Sequence, residues 1–192
     1  MLVEVRPATA DRWDDINALF ARRGGGASSC WCQVFVGSPG TGAAGALSKR
    51  DALHEEVTRA VVAPGLIAYV DDQPVGWSRV GPRAILPGVL GNRALARVLA
   101  DDEGAWWVSC FKVDSRYRRV GVGAALLRAA VAYARDQGAT SIEGHPVDVA
   151  SLKAERVSGA AIYTGTVAMF AAAGFTEVAR TYPTRPVMRL EL

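Results

Sequence analysis

Arg118, Gly121 and Gly123 stand at the spacing RxxGxG inside the run WWVSCFKVDSRYRRVGVGAALLRAAVAYARDQG, residues 106–138. Glycine at the last two of these positions removes the Cβ, so the backbone can take unusual dihedrals and a ligand can come to contact distance. The helix that follows presents N–H groups without intrahelical partners, at the positive end of its dipole. Phosphate oxygens suit that place. A dinucleotide fingerprint would need GxGxxG, and a Walker loop GxxxxGK followed by Ser or Thr; this turn has neither. Cys30, Cys32 and Cys110, with His54 and His145, complete the soft-ligand inventory. Cys30 and Cys32 are a single residue apart, a poor start for a four-ligand zinc site, and no metal is expected. Three cysteines fit a reducing compartment better than a disulfide framework.

Around this turn the pattern predicts a strand over 106–113, a helix over 121–137 ended by Gly138, and a strand over 140–144. Upstream, a strand over 2–6 ends at Pro7, and a helix capped by Asp11 runs to Arg23, where Gly24, Gly25 and Gly26 stop it. The run GSPGTGAAG at 37–45 is a loop inside a domain. A helix over 46–62 and a hairpin, GLIAYV and VGWSRV around a turn at 71–74, follow. Residues 84–99 are ambiguous, because Pro87 and Gly88 interrupt a helical pattern. A helix over 160–173 and strands over 175–181 and 187–192 close the chain. This order predicts a mixed sheet with helices on both faces.

With 192 residues, half of them hydrophobic and 21% charged, the chain reads as one globular domain, 1–192. A net charge of +3 is too mild for a nucleic-acid coat and is enough for small anionic ligands. The opening MLVEVRPATADRW lacks a basic flank before an apolar run, and no stretch has the ~18 uncharged apolar residues of a membrane span. The expectation is a soluble, cytoplasmic monomer or homodimer with no nucleic-acid or membrane partner.

The run CFKVDSRYRRVGVGAALLRAA resembles the coenzyme A binding motif of the GNAT superfamily of N-acyltransferases, and TGTVAMFAAAGF is similar to the helix that ends in Gly-Phe in that family. The resemblance implies an α/β (α+β) fold: a mixed, mostly antiparallel central sheet of about six or seven strands with helices on both faces. The strands at 106–113 and 140–144 would splay apart, with the thioester in the gap. Acetyl-CoA would be the co-substrate. Phe111, Lys112 and Val113 would run along the pantetheine arm, and Arg118, Arg119, Val120, Gly121, Val122, Gly123 and Ala124 would hold the pyrophosphate.

Two positions depart from the family pattern. The glutamate that often serves as general base, six residues before Val113, is Trp107; the tyrosine that often serves as general acid, four before Gly174, is Phe170. A lysine-like amine at pKa ~10.4 has about one neutral molecule in 2,500 at pH 7, a cost of roughly 4.6 kcal/mol, while an α-amino group costs roughly 1 to 1.4 kcal/mol. Positioning contributes about 7 to 11 kcal/mol in well-oriented cases, so a weak base is tolerable. Glu143 and His145, in and just past the second splayed strand, are the replacement catalytic candidates. Set against this, each has an ordinary reading, as a solvated strand residue and a loop side chain before Pro146. Tyr163 offers a hydroxyl, or simply a packed ring. Cys110 suggests an acyl-enzyme route but reads better as a small core residue. Trp31 is either a pocket wall or a core cover, and Asp101, Asp102 and Glu103 either attract a cationic acceptor or form a solvated loop. The reading is acyl transfer from coenzyme A to an amine of a small molecule or peptide by direct attack in a ternary complex. The alternative is a non-catalytic acyl-CoA binding or sensor module.

Overall fold

Asp71 and Asp72 both take positive φ, 48° and 56°, which gives the two-residue turn whose twist matches that of a hairpin. They join β2 (Gly65–Val70) to β3 (Gln73–Pro82), neighbours in a seven-stranded sheet in the computed structural model. The structure describes residues 1–21, 31–33, 35–37, 47–152 and 158–192. The other strands are β1 (Glu4–Pro7), β4 (Ala105–Val113), β5 (Ser141–Gly144), β6 (Thr176–Tyr182) and β7 (Arg185–Glu191), in the order β1-β2-β3-β4-β5-β7-β6. Only β4 and β5 pair in parallel; every other neighbour is antiparallel. This is the mixed, mostly antiparallel sheet expected from the GNAT resemblance.

Helices cover both faces. On one, α5 (Val122–Asp136) buries Val122, Leu126, Leu127, Ala130 and Ala134 against Val75, Val80, Trp106, Val108 and Ile142. On the other, α1 (Trp13–Ala21) and α2 (Lys49–Arg59) enclose Ile16, Phe20, Leu53, Val57, Ile67, Trp77 and Cys110. A third cluster sets Trp107 among Phe35, Leu86, Val89, Leu95 and Val187.

Several boundaries differ from the sequence expectation for local reasons. Asp11 lies within a 3-10 turn, Ala10–Arg12, and does not cap the helix. Helix α2 starts at Lys49, not 46, because Ser48 caps it by accepting from the Asp51 N–H. The ambiguous 84–99 region resolves into a 3-10 turn and two single-turn helices, α3 (Pro87–Leu90) and α4 (Arg93–Ala96), as its Pro and Gly would dictate. The helix expected over 160–173 shrinks to α6 (Val167–Ala171), because Gly165 takes φ +86° and Thr166 is extended as its N-cap. Gly24, Gly25, Gly26, Cys30 and most of 37–45 lie outside the described residues.

Candidate active site

Strand β4 ends at Val113, and Asp114 caps the 3-10 turn Ser115–Tyr117 by accepting from the Arg116 N–H at 3.0 Å. Arg119 then takes φ +63°, a conformation that costs a non-glycine residue about 1 to 3 kcal/mol, and Gly121 follows at φ +92°. Val122 then buries itself and starts α5. No described residue accepts a hydrogen bond from the N–H groups of residues 119–124; the first bond of the helix runs from Ala125 N to Gly121 O at 2.9 Å. A Cβ added at Gly121 would meet nothing within 4 Å, so the approach is open. Six unpaired donors at a helix start, beside exposed Arg118 and Arg119, make a fitting cradle for a pyrophosphate.

The gap beside this turn is visible in the ladder. β4 and β5 pair only from Ala105↔Ser141 to Val108↔Gly144, while β4 continues to Val113. A bulge opens it: Arg79 pairs with Cys110 and Val80 with Val108, leaving Ser109 without a partner. Beyond Gly144, where a Cβ would meet the Phe170 ring at 2.5 Å, the chain turns away through His145 and Pro146. Residues 163–166 run into the space so created. The Phe111 N–H donates to the Tyr163 carbonyl at 2.6 Å, and Val147 bridges to Thr166. The Phe111 amide, assigned from the resemblance to the pantetheine arm, is therefore engaged within the protein. Backbone direction alternates along a strand, so Val113 presents its own N–H to the same open side. Lys112 faces the opposite layer, its Nζ 5.1 Å above the Phe20 ring.

Glu143 and His145 end up in different circumstances. Glu143 is 1% exposed, and both its oxygens are held, Oε2 by Arg83 at 2.6 Å and Oε1 by Arg189 at 3.0 Å. Arg83 also donates to the Ala100 and Asp102 carbonyls, and Arg189 to Asp102 at 2.8 Å. Burial pushes the Asp102 carboxyl up, but donors from Arg189, Ser141 and Thr140 outweigh it and hold the group below its ordinary value. Asp102 is thus an anchor of this buried network.

His145 is 7% exposed at the mouth of the gap. Its Nε2 lies 2.7 Å from Thr181 Oγ1 and 3.2 Å from the Arg185 carbonyl. The Thr181 hydroxyl donates to that same carbonyl at 3.1 Å, so Nε2 carries the proton and Nδ1 the lone pair. Burial and the Arg185 charge push the ring down to about 4, and it is neutral at pH 7. Arg185 Nη1 donates to buried Thr164 Oγ1 at 3.1 Å, and the Tyr163 side chain lies close enough to act electrostatically on the guanidinium. Sequence reasoning missed Arg185, Thr181 and Thr164. No spacing marks them, since β6 and β7 bring them to His145 only through the fold.

Trp107 and Phe170, at the two departures from the family pattern, are both fully buried. The Trp107 Nε1 and the Ser78 and Ser109 hydroxyls find no acceptor or donor among the described residues. On the α1 side, Trp31 stacks on Phe20 at 5.0 Å and Trp13 at 6.3 Å. Beneath it Arg79 pairs with Glu56 at 2.6 and 2.8 Å, and Trp77 Nε1 meets Cys32 Sγ at 2.9 Å. Among the described residues no His, Cys, Asp and Glu cluster has metal-site form, and no helix is long and apolar enough to cross a membrane.

Known proteins bear on this arrangement. No curated protein matches the sequence. The GNAT domain of S. lividans PAT is 18% identical, with a TM-score of 0.56, over 99% of this chain and 90% of that one. An aminoglycoside acetyltransferase in complex with coenzyme A is 16% identical, with a TM-score of 0.55, over 99% and 95%. A mosquito arylalkylamine N-acetyltransferase-like protein is 14% identical, with a TM-score of 0.61, over the whole of both chains. These likenesses are of fold. The sequence itself matches the acetyltransferase (GNAT) family over residues 43–157, the stretch that carries the glycine turn, the bulged strand and the gap. The chain belongs to the GNAT acetyltransferase family.

Proposed function

We propose that this protein is a single-domain enzyme that transfers an acetyl or other short acyl group from coenzyme A to an amine of a small molecule or peptide, by direct attack in a ternary complex. The observation that carries this reading is the run of amides at 119–124 with no acceptor among the described residues, beside the end of β4 that β5 leaves unpaired. Arg118, Arg119, Val120, Gly121, Val122, Gly123 and Ala124 frame the pyrophosphate, and Val113 offers the pantetheine arm a backbone donor. In the reaction the amine nitrogen bonds to the acyl carbon and the carbon–sulfur bond breaks. The nitrogen gives up one proton and the departing thiolate takes one up.

His145, through Nδ1, is the proton acceptor that best fits the geometry. A group at about 4 does not strip an ammonium at pKa ~10.4, so the acceptor arrives neutral and His145 takes its proton as the new bond forms. Glu143 offers no free oxygen, since both are committed to arginines in a site closed to an incoming amine. Its role is to tie β5 to β7 through Arg189 and to the turn after β3 through Arg83, at the closed end of the gap.

The second reading, an acyl-CoA binding or sensor module, is favoured by fully buried Trp107 and Phe170 where a carboxylate and a phenol are often found. Thiol release from acetyl-CoA across a panel of amines separates the two. Acceptor-dependent release is expected; coenzyme A binding without release for any amine would favour the sensor. Absence of coenzyme A binding in calorimetry would overturn both.

A further inference from the structure

The buried arginines around the sheet centre are paired: Arg79 with Glu56 at 2.6 Å, Arg83 with Glu143 at 2.6 Å, and Arg189 with Asp102, Glu143 and Glu191. Even the more exposed Arg180 has Glu177 and Asp148. Half-buried Arg185 is different. Its guanidinium donates to Thr164 Oγ1 at 3.1 Å and has no carboxylate partner among the described residues. Burial pulls its ionisation below the ordinary arginine value, with the Tyr163 phenol acting against that shift. Taking a charge out of water without a counter-ion is costly, and folded proteins pair such charges. A planar guanidinium flanked by a threonine hydroxyl is matched in shape and charge to a carboxylate.

The location suits a ligand rather than a structural partner. Arg185 opens β7, three residues before Met188, which pairs with Gly144 at the last rung of β5. Thr164 follows Tyr163, whose carbonyl holds the Phe111 amide on the open half of β4. The guanidinium therefore sits at the mouth of the gap, close enough for its charge to act on the His145 ring, which itself bonds to the Arg185 backbone carbonyl.

We propose that Arg185, with Thr164, is an anion seat of the acceptor site, and that the amine acceptor of this enzyme carries a carboxylate that pairs with the guanidinium. The proposal rests on the acyl-transfer reading and narrows its acceptor to aminocarboxylates. It also couples binding to chemistry. Among the described charged or titratable groups, Arg185 acts on His145 and Tyr163 acts on Arg185. A carboxylate on Arg185 cancels the charge that helps hold His145 down, so a well-seated acceptor makes Nδ1 a better proton acceptor.

The test uses matched pairs, each common amino acid against its primary amide, with thiol release from acetyl-CoA as the activity readout. Calorimetry on the corresponding N-acetylated acids and amides, the products, provides a readout free of turnover. Acids are expected to exceed amides by about 10-fold or more in product affinity, and in kcat/KM once each is referred to the concentration of neutral amine, the scale of one charge-assisted pair. Arg185→Gln should remove the difference while leaving coenzyme A affinity unchanged, and Arg185→Lys should keep part of it. Acids and amides of equal standing, or discrimination that survives in Arg185→Gln, would overturn the seat. So would a gain in acid affinity in Glu155→Gln, Glu155 being the one carboxylate outside the described residues. Coenzyme A binding without turnover for any pair overturns the acyl-transfer reading alone, since product binding still decides the role of Arg185.

Discussion

At the α5 end of the gap, six backbone N–H groups have no acceptor among the described residues, and no side chain is required to make them. At the β5 end the polar atoms are side chains from β5, β6 and β7, and their partners already hold them: Glu143 between two arginines, His145 on Thr181 and Arg185. The first construction depends on dihedral angles and tolerates change in nearly every side chain except glycine. The second depends on register, because a one-residue slip of β7 would carry Arg185 and Arg189 to the other face of the sheet. On the proposed reading, a donor end built of backbone and an acceptor end built of side chains can therefore vary independently. That fits a chain that keeps RxxGxG while Trp107 and Phe170 replace the usual acid–base pair.

The largest effect should come from breaking the side-chain construction at its buried centre. Glu143→Leu strands Arg83 and Arg189 without their shared carboxylate, and removing one partner of a buried pair costs about 3 to 5 kcal/mol. Urea denaturation should report that loss. Were Glu143 the base instead, Glu143→Gln would cut kcat severely while a folded protein still bound coenzyme A.

Next in size is the pH response of the same end. His145 falls from 6.5 to about 4 on folding, so between those values the unfolded chain binds the proton and the folded one does not. Stability is then complete above 6.5 and lost as the pH drops toward 4. The loss is at most about 3 kcal/mol, and less to the extent that water reaches the ring. His145→Asn should flatten that part of the stability profile. An unchanged slope in the variant would assign the acid sensitivity to another group. In Arg185→Gln, His145 should titrate closer to 6.5, which nuclear magnetic resonance of the ring can follow.

Breaking the backbone construction should leave the fold intact and weaken the donor. A β-branched side chain at Gly121 is strained at φ +92° and stands where the phosphates approach. Gly121→Val should lower coenzyme A affinity by about 10- to 100-fold, roughly 1.4 to 2.8 kcal/mol, in calorimetry. Discrimination among acceptors at saturating acetyl-CoA should not move. A shift in acceptor preference would show that the two ends are coupled after all.

This division also sets what could be read from the sequence. Gly121 and Gly123 announce the anion turn because a required dihedral selects a residue type, and the alternating and 3.6-residue patterns announce the strands and α5. The gap was expected from the resemblance. Its actual filling by residues 163–166 was not, since it hangs on Gly165 at φ +86° ending what otherwise reads as one helix from 160. Glu143 and His145 looked equivalent as neighbours in the sequence. Only the antiparallel pairing of β5 with β7, which sets Arg189 opposite Glu143, distinguishes the locked carboxylate from the imidazole at the mouth. Arg185 had no signal at all, because its significance is a guanidinium with a hydroxyl partner and no carboxylate among the described residues, a property of packing.

The smallest effect concerns Trp107. Its indole Nε1 is buried without an acceptor among the described residues, while the ring packs edge-on against Phe35 at 6.3 Å. Phenylalanine keeps much of the apolar contact and removes the unsatisfied donor. The two changes oppose each other: a smaller ring leaves a void, and an orphaned buried N–H costs about 1 to 3 kcal/mol where it stands. Trp107→Phe should therefore change stability by no more than about 1 kcal/mol, with kcat and KM unmoved. The kinetic half is the sharper one. If the rate falls while stability and coenzyme A affinity hold, the indole N–H contacts the reacting groups, and β4 supplies chemistry from a side chain at the position where the family usually keeps a carboxylate.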